Sequence, residues 1–439
     1  MLRYLVLLIV VLLFHPAAAS ALNVQEHLLD NGLKVLILED HKAPTATFQI
    51  WYRVGSRDEQ TGKTGLSHLL EHMMFKGTKN YGPKTFSQDI QRAGGMDNAF
   101  TTREYTGYFE LLSADRLSLA IGREADRMRN LVLTDDAVLS ERDVVMEERR
   151  LRYEDDPQNT VHEEVMAAAF KHHPYRWPVI GWMRDLKPLN PADLVKHYNT
   201  YYVPNNAVII VVGDVEPAKI LAEIRNAFGT IPRGRELPLR TYAEEDPAGE
   251  RRVVVKKEAE LPYLLEVYRV PLITHEDGCA LEVLGTILSD GKASRLYQSL
   301  VYEKQVALSA WAGYDGFSLD PYLFYAGATA ARGKKIEEVE ADLHKEIERI
   351  SKEPPSEREI MKARNQIEAS FILEQDSIYM QAKTLGSFEM TVGWRFMDTY
   401  LDKIRKVTPE DVRRVAARYL VPDLRTTGIL IPLPQEKAK

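Results

Sequence analysis

Alternating apolar and polar positions mark the first folded elements of the chain. Gln25–Leu29 and Lys34–Glu39 flank Asn31-Gly32, a pair that tolerates the positive φ of a tight turn, so the two runs predict a β-hairpin. Ala46–Val54 predicts a third strand. The period then changes. Through Gly65-Leu66-Ser67-His68-Leu69-Leu70-Glu71-His72-Met73-Met74-Phe75 the apolar residues recur at helical spacing. A helix near Thr85–Ala93, a glycine-rich turn and strands around Ala99–Glu104 and Thr106–Leu112 follow. Helices near Ala114–Asn130, Asp136–Tyr153 and Pro191–Tyr202 lead to the apolar strand Ala207–Gly213. Strands and helices mixed without strict alternation predict an α+β fold, a mixed sheet covered by helices.

The pattern occurs twice. Trp51-Tyr52-Arg53-Val54 returns as Val267-Tyr268-Arg269-Val270, an offset of 216. Pro191-Ala192-Asp193-Leu194, running to Tyr201-Tyr202-Val203-Pro204, returns as Pro409-Glu410-Asp411-Val412, running to Tyr419-Leu420-Val421-Pro422, an offset of 218. An apolar strand follows each copy. Two matches in the same order at nearly one offset indicate internal duplication. The chain therefore divides into two homologous α/β domains, 22–232 and 251–436, joined by a polar linker at 233–250.

Residues 1–21 read as a signal peptide. Arg3 supplies the positive start, Leu5–Phe14 the short apolar run, and Pro16–Ala21 the small residues for cleavage after Ala19 or Ala21. An uncleaved anchor is the alternative, although the run is short for a membrane span. The expectation is an exported protein without a stable membrane anchor, periplasmic or else secreted. One cysteine, Cys279, excludes an intramolecular disulfide, and its apolar helical context predicts a buried structural thiol. The formal net charge of −7 is spread along the chain, which argues against a nucleic-acid face.

The helical stretch also carries chemistry. His68 and His72 stand four apart, so both imidazoles leave one face of the helix and can reach one metal ion. Glu71 lies beside them, placed to take a proton from water. Two surface histidines could show the same spacing, so a third ligand matters. Glu141 and Glu148 stand seven apart, two turns along one face of the later helix. Glu148 can ligate while Glu141 accepts the outer N–H of a ligand histidine, unless this charge-dense helix is only a solvated face.

His68-x-x-Glu71-His72, followed by Glu141-Arg142-Asp143-x4-Glu148, resembles the M16 family of zinc metallopeptidases, which includes pitrilysin, insulin-degrading enzyme and the mitochondrial processing peptidase. Glu71-His72-Met73-x-Phe75-Lys76-Gly77-Thr78, Gly94-Gly95-x2-Asn98-Ala99-x-Thr101 and Ser294-Arg295-Leu296-Tyr297 extend the likeness over essentially the whole mature chain. The resemblance implies duplicated α/β domains around a chamber and one zinc per chain held by His68, His72 and Glu148. It places the general base on Glu71, the supporting carboxylate on Glu141, and substrate backbone against Asn98 and Ala99. Under the 216 offset, Leu284, Ile287 and Leu288 fall where His68, Glu71 and His72 would be, so the second domain is expected to bind no zinc. One departure stands out. The Arg and Tyr that many active relatives carry seven apart fall here on Val301 and Leu308. The resemblance therefore implies a zinc-dependent endopeptidase acting on peptides as one half of a heteromer, whose homologous partner supplies Arg and Tyr. A homodimer is the alternative. Two other readings stay open: a peptide-binding or scaffold subunit with structural or vestigial zinc, and a non-peptidase zinc hydrolase.

Overall fold

The computed structural model describes residues 23–237 and 240–434, and the signal peptide expected over 1–21 lies outside them. Two sheets organise the chain. The first comprises β1 (Gln25–Leu28), β2 (Lys34–Glu39), β3 (Thr45–Tyr52), β4 (Met96–Thr101), β5 (Thr106–Ser113) and β6 (Ala207–Gly213), in the order β1-β2-β6-β3-β5-β4. The second comprises β7 (Arg251–Glu258), β8 (Tyr263–Val270), β9 (Ala307–Asp315), β10 (Tyr322–Ala330) and β11 (Arg425–Leu433), in the order β7-β11-β8-β10-β9. Without β1 the two orders are the same. The parallel pair β2·β6 matches the parallel pair β7·β11, and the other neighbours are antiparallel in both sheets. The repeat read from sequence is thus a repeat of topology.

Helices α1 (Leu66–Met73), α2 (Thr85–Arg92), α3 (Leu117–Asn130), α4 (Asp135–Arg149), α5 (Pro157–Ala169), α6 (Met183–Leu186), α7 (Pro191–Tyr201) and α8 (Pro217–Phe228) accompany the first sheet in sequence. The second is accompanied by α9 (Gly278–Ser289), α10 (Ile336–Lys352), α11 (Glu357–Leu373), α12 (Ile378–Thr391), α13 (Met397–Lys406) and α14 (Pro409–Tyr419).

One face of each sheet packs on helices of its own half. Phe48, Ile50 and Tyr52 of β3 meet Leu69, Leu70 and Met73 of α1, while Tyr268 and Phe324 share a core with Leu284 and Leu288 of α9. The opposite faces are covered crosswise. Ala382, Leu385 and Phe388 of α12 join Trp51, Val208 and Ile210 of the first sheet. Val161 and Val165 of α5 join Leu265, Val267 and Leu430 of the second. Burial on both faces explains why β6 is apolar at every position rather than alternating. The crossing helices approach closely. A Cβ on Gly386 would lie 2.5 Å from the Trp51 ring, and one on Gly428 would lie 2.2 Å from Val165 Cγ2.

Three boundaries differ from the sequence reading. Strand β4 begins at Met96, directly after the glycine turn (Gly94 φ 78°), and ends at Thr101 instead of running from Ala99 to Glu104. Thr102 turns the chain there, its hydroxyl accepting N–H groups from Glu104 and Tyr105 at 3.1 and 3.0 Å. The long helix ends its α-helical part at Arg149 and finishes in a π-turn, Arg150–Glu154. The helix expected from Ala114 opens with a 3-10 turn, Ala114–Arg116, before α3.

Candidate metal centre

Helix α1 starts at a point that other residues hold in place. Gly65 has φ 92°, and a Cβ there would lie 2.5 Å from the Ile180 carbonyl oxygen, so glycine is required. The Glu59 carboxylate accepts the N–H groups of Gly65 and Ser67, each at 2.7 Å, satisfying free donors at the helix start. Leu69, Leu70 and Met73 then bury one face and turn His68, Glu71 and His72 towards α4 and β4.

The sequence-predicted residues come together. His68 Nε2 and His72 Nε2 lie 3.8 and 3.4 Å from the same oxygen, Glu148 Oε2. The three ligand atoms lie within 4.8 Å of one another. Tetrahedral ligation with bonds of about 2.0–2.1 Å has edges of about 3.3–3.4 Å, close to these separations. His72 Nδ1 meets Glu141 Oε1 at 3.0 Å, which leaves Nε2 free to face Glu148. The donor set, two imidazole nitrogens and one carboxylate oxygen, suits zinc. His68 Nδ1 is buried without a hydrogen-bond partner among the described residues, so His68 lacks the outer support that His72 has.

Three supporting residues escaped the sequence reading. Thr101 on β4 donates its hydroxyl hydrogen to Glu71 Oε2 at 2.5 Å. Lys76 pairs with Glu141 Oε2 at 2.5 Å, one turn past His72. Arg152 pairs with Glu148 Oε1 at 3.1 Å, leaving the other oxygen to the histidines. The i,i+4 spacing of Glu148 and Arg152 could have signalled that pair; the others join segments distant in sequence.

Electrostatics follow from burial and these contacts. Burial, and after it the neighbouring His72, holds His68 down to about 4. Burial also opposes protonation of His72, but hydrogen bonds to Glu141 and Glu148 outweigh it and lift His72 to about 9. Hydrogen bonding to His72 holds Glu148 below the usual carboxylate range. Burial raises the Glu71 carboxyl above that range, against the hydrogen bond from Thr101.

Other predicted positions are more spread out. Strand β4 is the free edge of the first sheet; on it Asn98 is exposed, and Ala99 is half-buried against the first core. The Asn98 side chain accepts the Ala99 N–H at 2.9 Å. Val301 lies in the π-helical segment Tyr297–Glu303 and packs on the second core, whereas Leu308 on β9 is 65% exposed. Neither side chain can donate a hydrogen bond.

The 216 offset is corrected within α9. Leu284, Ile287 and Leu288 face the core at 0, 6 and 0% exposure, as do Leu70 and Met73 of α1 and Met74 at its end. The matching offset in this helix is therefore 214, which sets Glu282, Gly285 and Thr286 in the places of His68, Glu71 and His72. Leu66 and Leu69 become Ala280 and Val283, also buried. The second half still lacks the two histidines and the base.

Two further groupings of metal-ligand type have partners already. Arg252 holds Glu340 with both terminal nitrogens, at 2.6 and 2.7 Å, and Arg425 reaches His344 at 2.9 Å. Asp277 takes Arg418 at 3.0 Å and the Tyr419 hydroxyl at 2.7 Å.

A His-x-x-Glu-His helix with a distant glutamate, mounted on one of two duplicated α/β units, defines the inverted-motif class of zinc metallopeptidases. The family model "Insulinase (Peptidase family M16)" matches residues 34–181, and "Peptidase M16 inactive domain" matches residues 188–367. The chain belongs to peptidase family M16. It is 31% identical to the zinc protease PqqE of Helicobacter pylori over 92% of each chain. It is 24% identical to the uncharacterized zinc protease YmxG of Bacillus subtilis, over 91% of this chain and 96% of that one. Among solved structures, a protease from Helicobacter pylori superposes with TM-score 0.90 at 30% identity, over 93% of this chain and 99% of that one. The periplasmic protease PqqL of Escherichia coli superposes with TM-score 0.78 at 18% identity, over 93% of this chain but 48% of that one.

Proposed function

We propose that this chain is a zinc-dependent endopeptidase that hydrolyses peptides, with His68, His72 and Glu148 as ligands of one zinc per chain and Glu71 as general base. One observation carries the reading: the three ligand atoms converge on the face of α1 that also presents Glu71. A closed structural site has four protein ligands and no use for a base, and three ligands beside a carboxylate fit catalysis better. The zinc-protease names of relatives agree with it.

When bound, zinc supplies Lewis acidity that makes water a stronger nucleophile near neutral pH. Glu71 accepts the proton of the attacking water and passes it to the leaving amine. Thr101 fixes the carboxylate's orientation, and Glu141 fixes the His72 tautomer with Nε2 facing Glu148. Asn98 and Ala99 on the free edge β4 offer backbone groups to an extended peptide, which can add as a further strand.

We take residues 22–232 and 251–436 as the duplicated units, 233–250 as their linker, and 1–21 as a leader for export to the periplasm, with secretion as the alternative. N-terminal sequencing of exported protein should start at Ser20 or Leu22. Val301 and Leu308 favour a heteromer in which a homologous partner supplies Arg and Tyr, over a homodimer. Full activity from this chain alone would sink the heteromer.

The deciding experiment combines metal analysis with a quenched-fluorescent peptide assay. Wild-type chain with its partner should cleave, a chelator should stop cleavage, and Glu71→Gln should keep zinc while losing hydrolysis. Zinc-replete wild type that cleaves no peptide with or without a partner would favour the second reading, a non-catalytic peptide-binding subunit, which draws on the same Val301 and Leu308.

A further inference from the structure

The duplicated topology puts a cavity of about 490 Å³ in the second half at the place corresponding to the metal centre. Each correspondence follows from position. On α9, Glu282, Gly285 and Thr286 line the cavity at the spacing of His68, Glu71 and His72 on α1. Tyr52 lies across β5 from Thr101 through Thr106, and its repeat Tyr268 lies across β10 from Tyr314 through Phe324, so Tyr314 takes the place of Thr101. The N-caps Thr134 of α4 and Ser356 of α11 align Glu148 with Ser370. Tyr314 and Ser370 both line the cavity. The second half carries different chemistry at that place.

The new chemistry is acidic and aromatic. Glu282, Asp290 and Glu374 line the cavity, and no Lys, Arg or His among the described residues does. Glu374 accepts the Thr384 hydroxyl at 3.1 Å. No hydrogen-bond donor or cation among the described residues reaches the Glu282 carboxylate. Burial, with the like charge of Asp315 added, pushes Glu282 up to about 7, as for a carboxyl that lacks a partner. Around it stand Tyr314, Phe317, Phe371, Phe388 and Tyr400, and Phe388 and Tyr400 each touch the rings of Phe317 and Phe371 and one another at 4.7–6.5 Å between centroids. Aromatic faces attract cations, and the half-buried Glu282 carboxylate, set among apolar walls, holds a cation more strongly than one in open water. A long stem with a charged end also suits walls that are apolar with one acid among them.

We propose that this cavity is a second substrate-binding site, which takes an arginine or lysine side chain of the peptide through Glu282 and the aromatic wall. The inference rests on the peptide-acting reading above. Recognition of a basic residue so far from the metal helix in sequence would select substrates by composition and hold them while another segment reaches the metal centre.

The test uses full-length zinc-loaded chain and a fluorescein-labelled, end-blocked pentapeptide with arginine at its centre, compared with its neutral citrulline analogue by fluorescence anisotropy. Wild type should bind the arginine peptide roughly tenfold tighter. Glu282→Gln should reduce the preference to near unity, and Ser370→Phe should do so by filling the cavity with Glu282 intact. Equal binding of the two peptides by wild type, or a full preference in either folded variant, would overturn the inference. If one variant fails to fold, the other decides. The two readings fail separately. Cleavage without any arginine preference sinks only the cavity, whereas an intact, Glu282-dependent preference without cleavage sinks only the peptidase.

Discussion

Thr101, at the end of the edge strand β4, donates its hydroxyl hydrogen to the Glu71 carboxylate on α1. That bond ties the strand proposed to receive substrate to the residue proposed to move the proton. Thr101→Val removes the donor with little change of volume. A hydrogen bond to a charged group is worth about 1.5–3 kcal/mol, so kcat should fall roughly 10–100-fold at unchanged zinc content. Thr101→Ser should restore most of it. A Val variant with wild-type kcat would show that the bond does not position Glu71.

Glu148 and Glu141 should separate in metal titrations. Glu148→Gln removes a ligand oxygen and should lower zinc stoichiometry after dialysis. Glu141→Gln leaves the ligand set intact but weakens the hold on His72 Nδ1, and support of this kind is worth about 10–100-fold in metal affinity. Competition with a chromogenic chelator measures both. Equal affinities in wild type and Glu141→Gln would remove Glu141 from the centre.

Glu104 gives a pH dependence away from the metal. It accepts the Tyr175 hydroxyl and, at 2.6 Å, the Leu319 N–H of the second half. Burial pushes it up to about 7. A raised carboxyl binds its proton more tightly folded than unfolded, so its contribution to stability is largest below about 4.5 and falls as pH rises towards 7. Glu104→Gln keeps an acceptor for both donors without titrating. The wild-type melting temperature should therefore drop relative to Glu104→Gln between pH 4.5 and 7, then run parallel. Parallel curves throughout would mean that Glu104 is not raised.

Gly386→Ala tests the crosswise packing. The added methyl would meet the Trp51 ring at 2.5 Å, so α12 must shift away from the first sheet. Overpacking of this kind costs about 1–3 kcal/mol. Calorimetry should show a lower melting temperature, with Trp51 fluorescence altered. An unchanged melting temperature would mean that α12 moves freely over this face.

Much of the fold was legible because its signals are local. The Asn31-Gly32 hairpin, the apolar β6 and the α1 face carrying His68, Glu71 and His72 depend on neighbours a few residues apart. The offset of 216 holds for β3 and β8, where a strand repeat can be counted residue by residue. It fails by two in α9, because the loops between strand and helix differ in length and burial sets the helix face.

From the sequence alone came the family, the duplication, the candidate ligands His68, His72 and Glu148, the candidate base Glu71, and Val301 and Leu308 where the resemblance expects Arg and Tyr. Side-chain identity decides these, read at helical spacing for His68, Glu71 and His72 and from motif and repeat for the others. Tertiary structure decided the rest: that α5 and α12 cross between halves, that Thr101, Lys76 and Arg152 brace the centre, and that Glu282, in its counterpart, meets no donor or cation among the described residues. Apart from the i,i+4 pair of Glu148 and Arg152, each depends on side chains brought together by packing across tens to hundreds of residues, and linear spacing carries no record of such contacts.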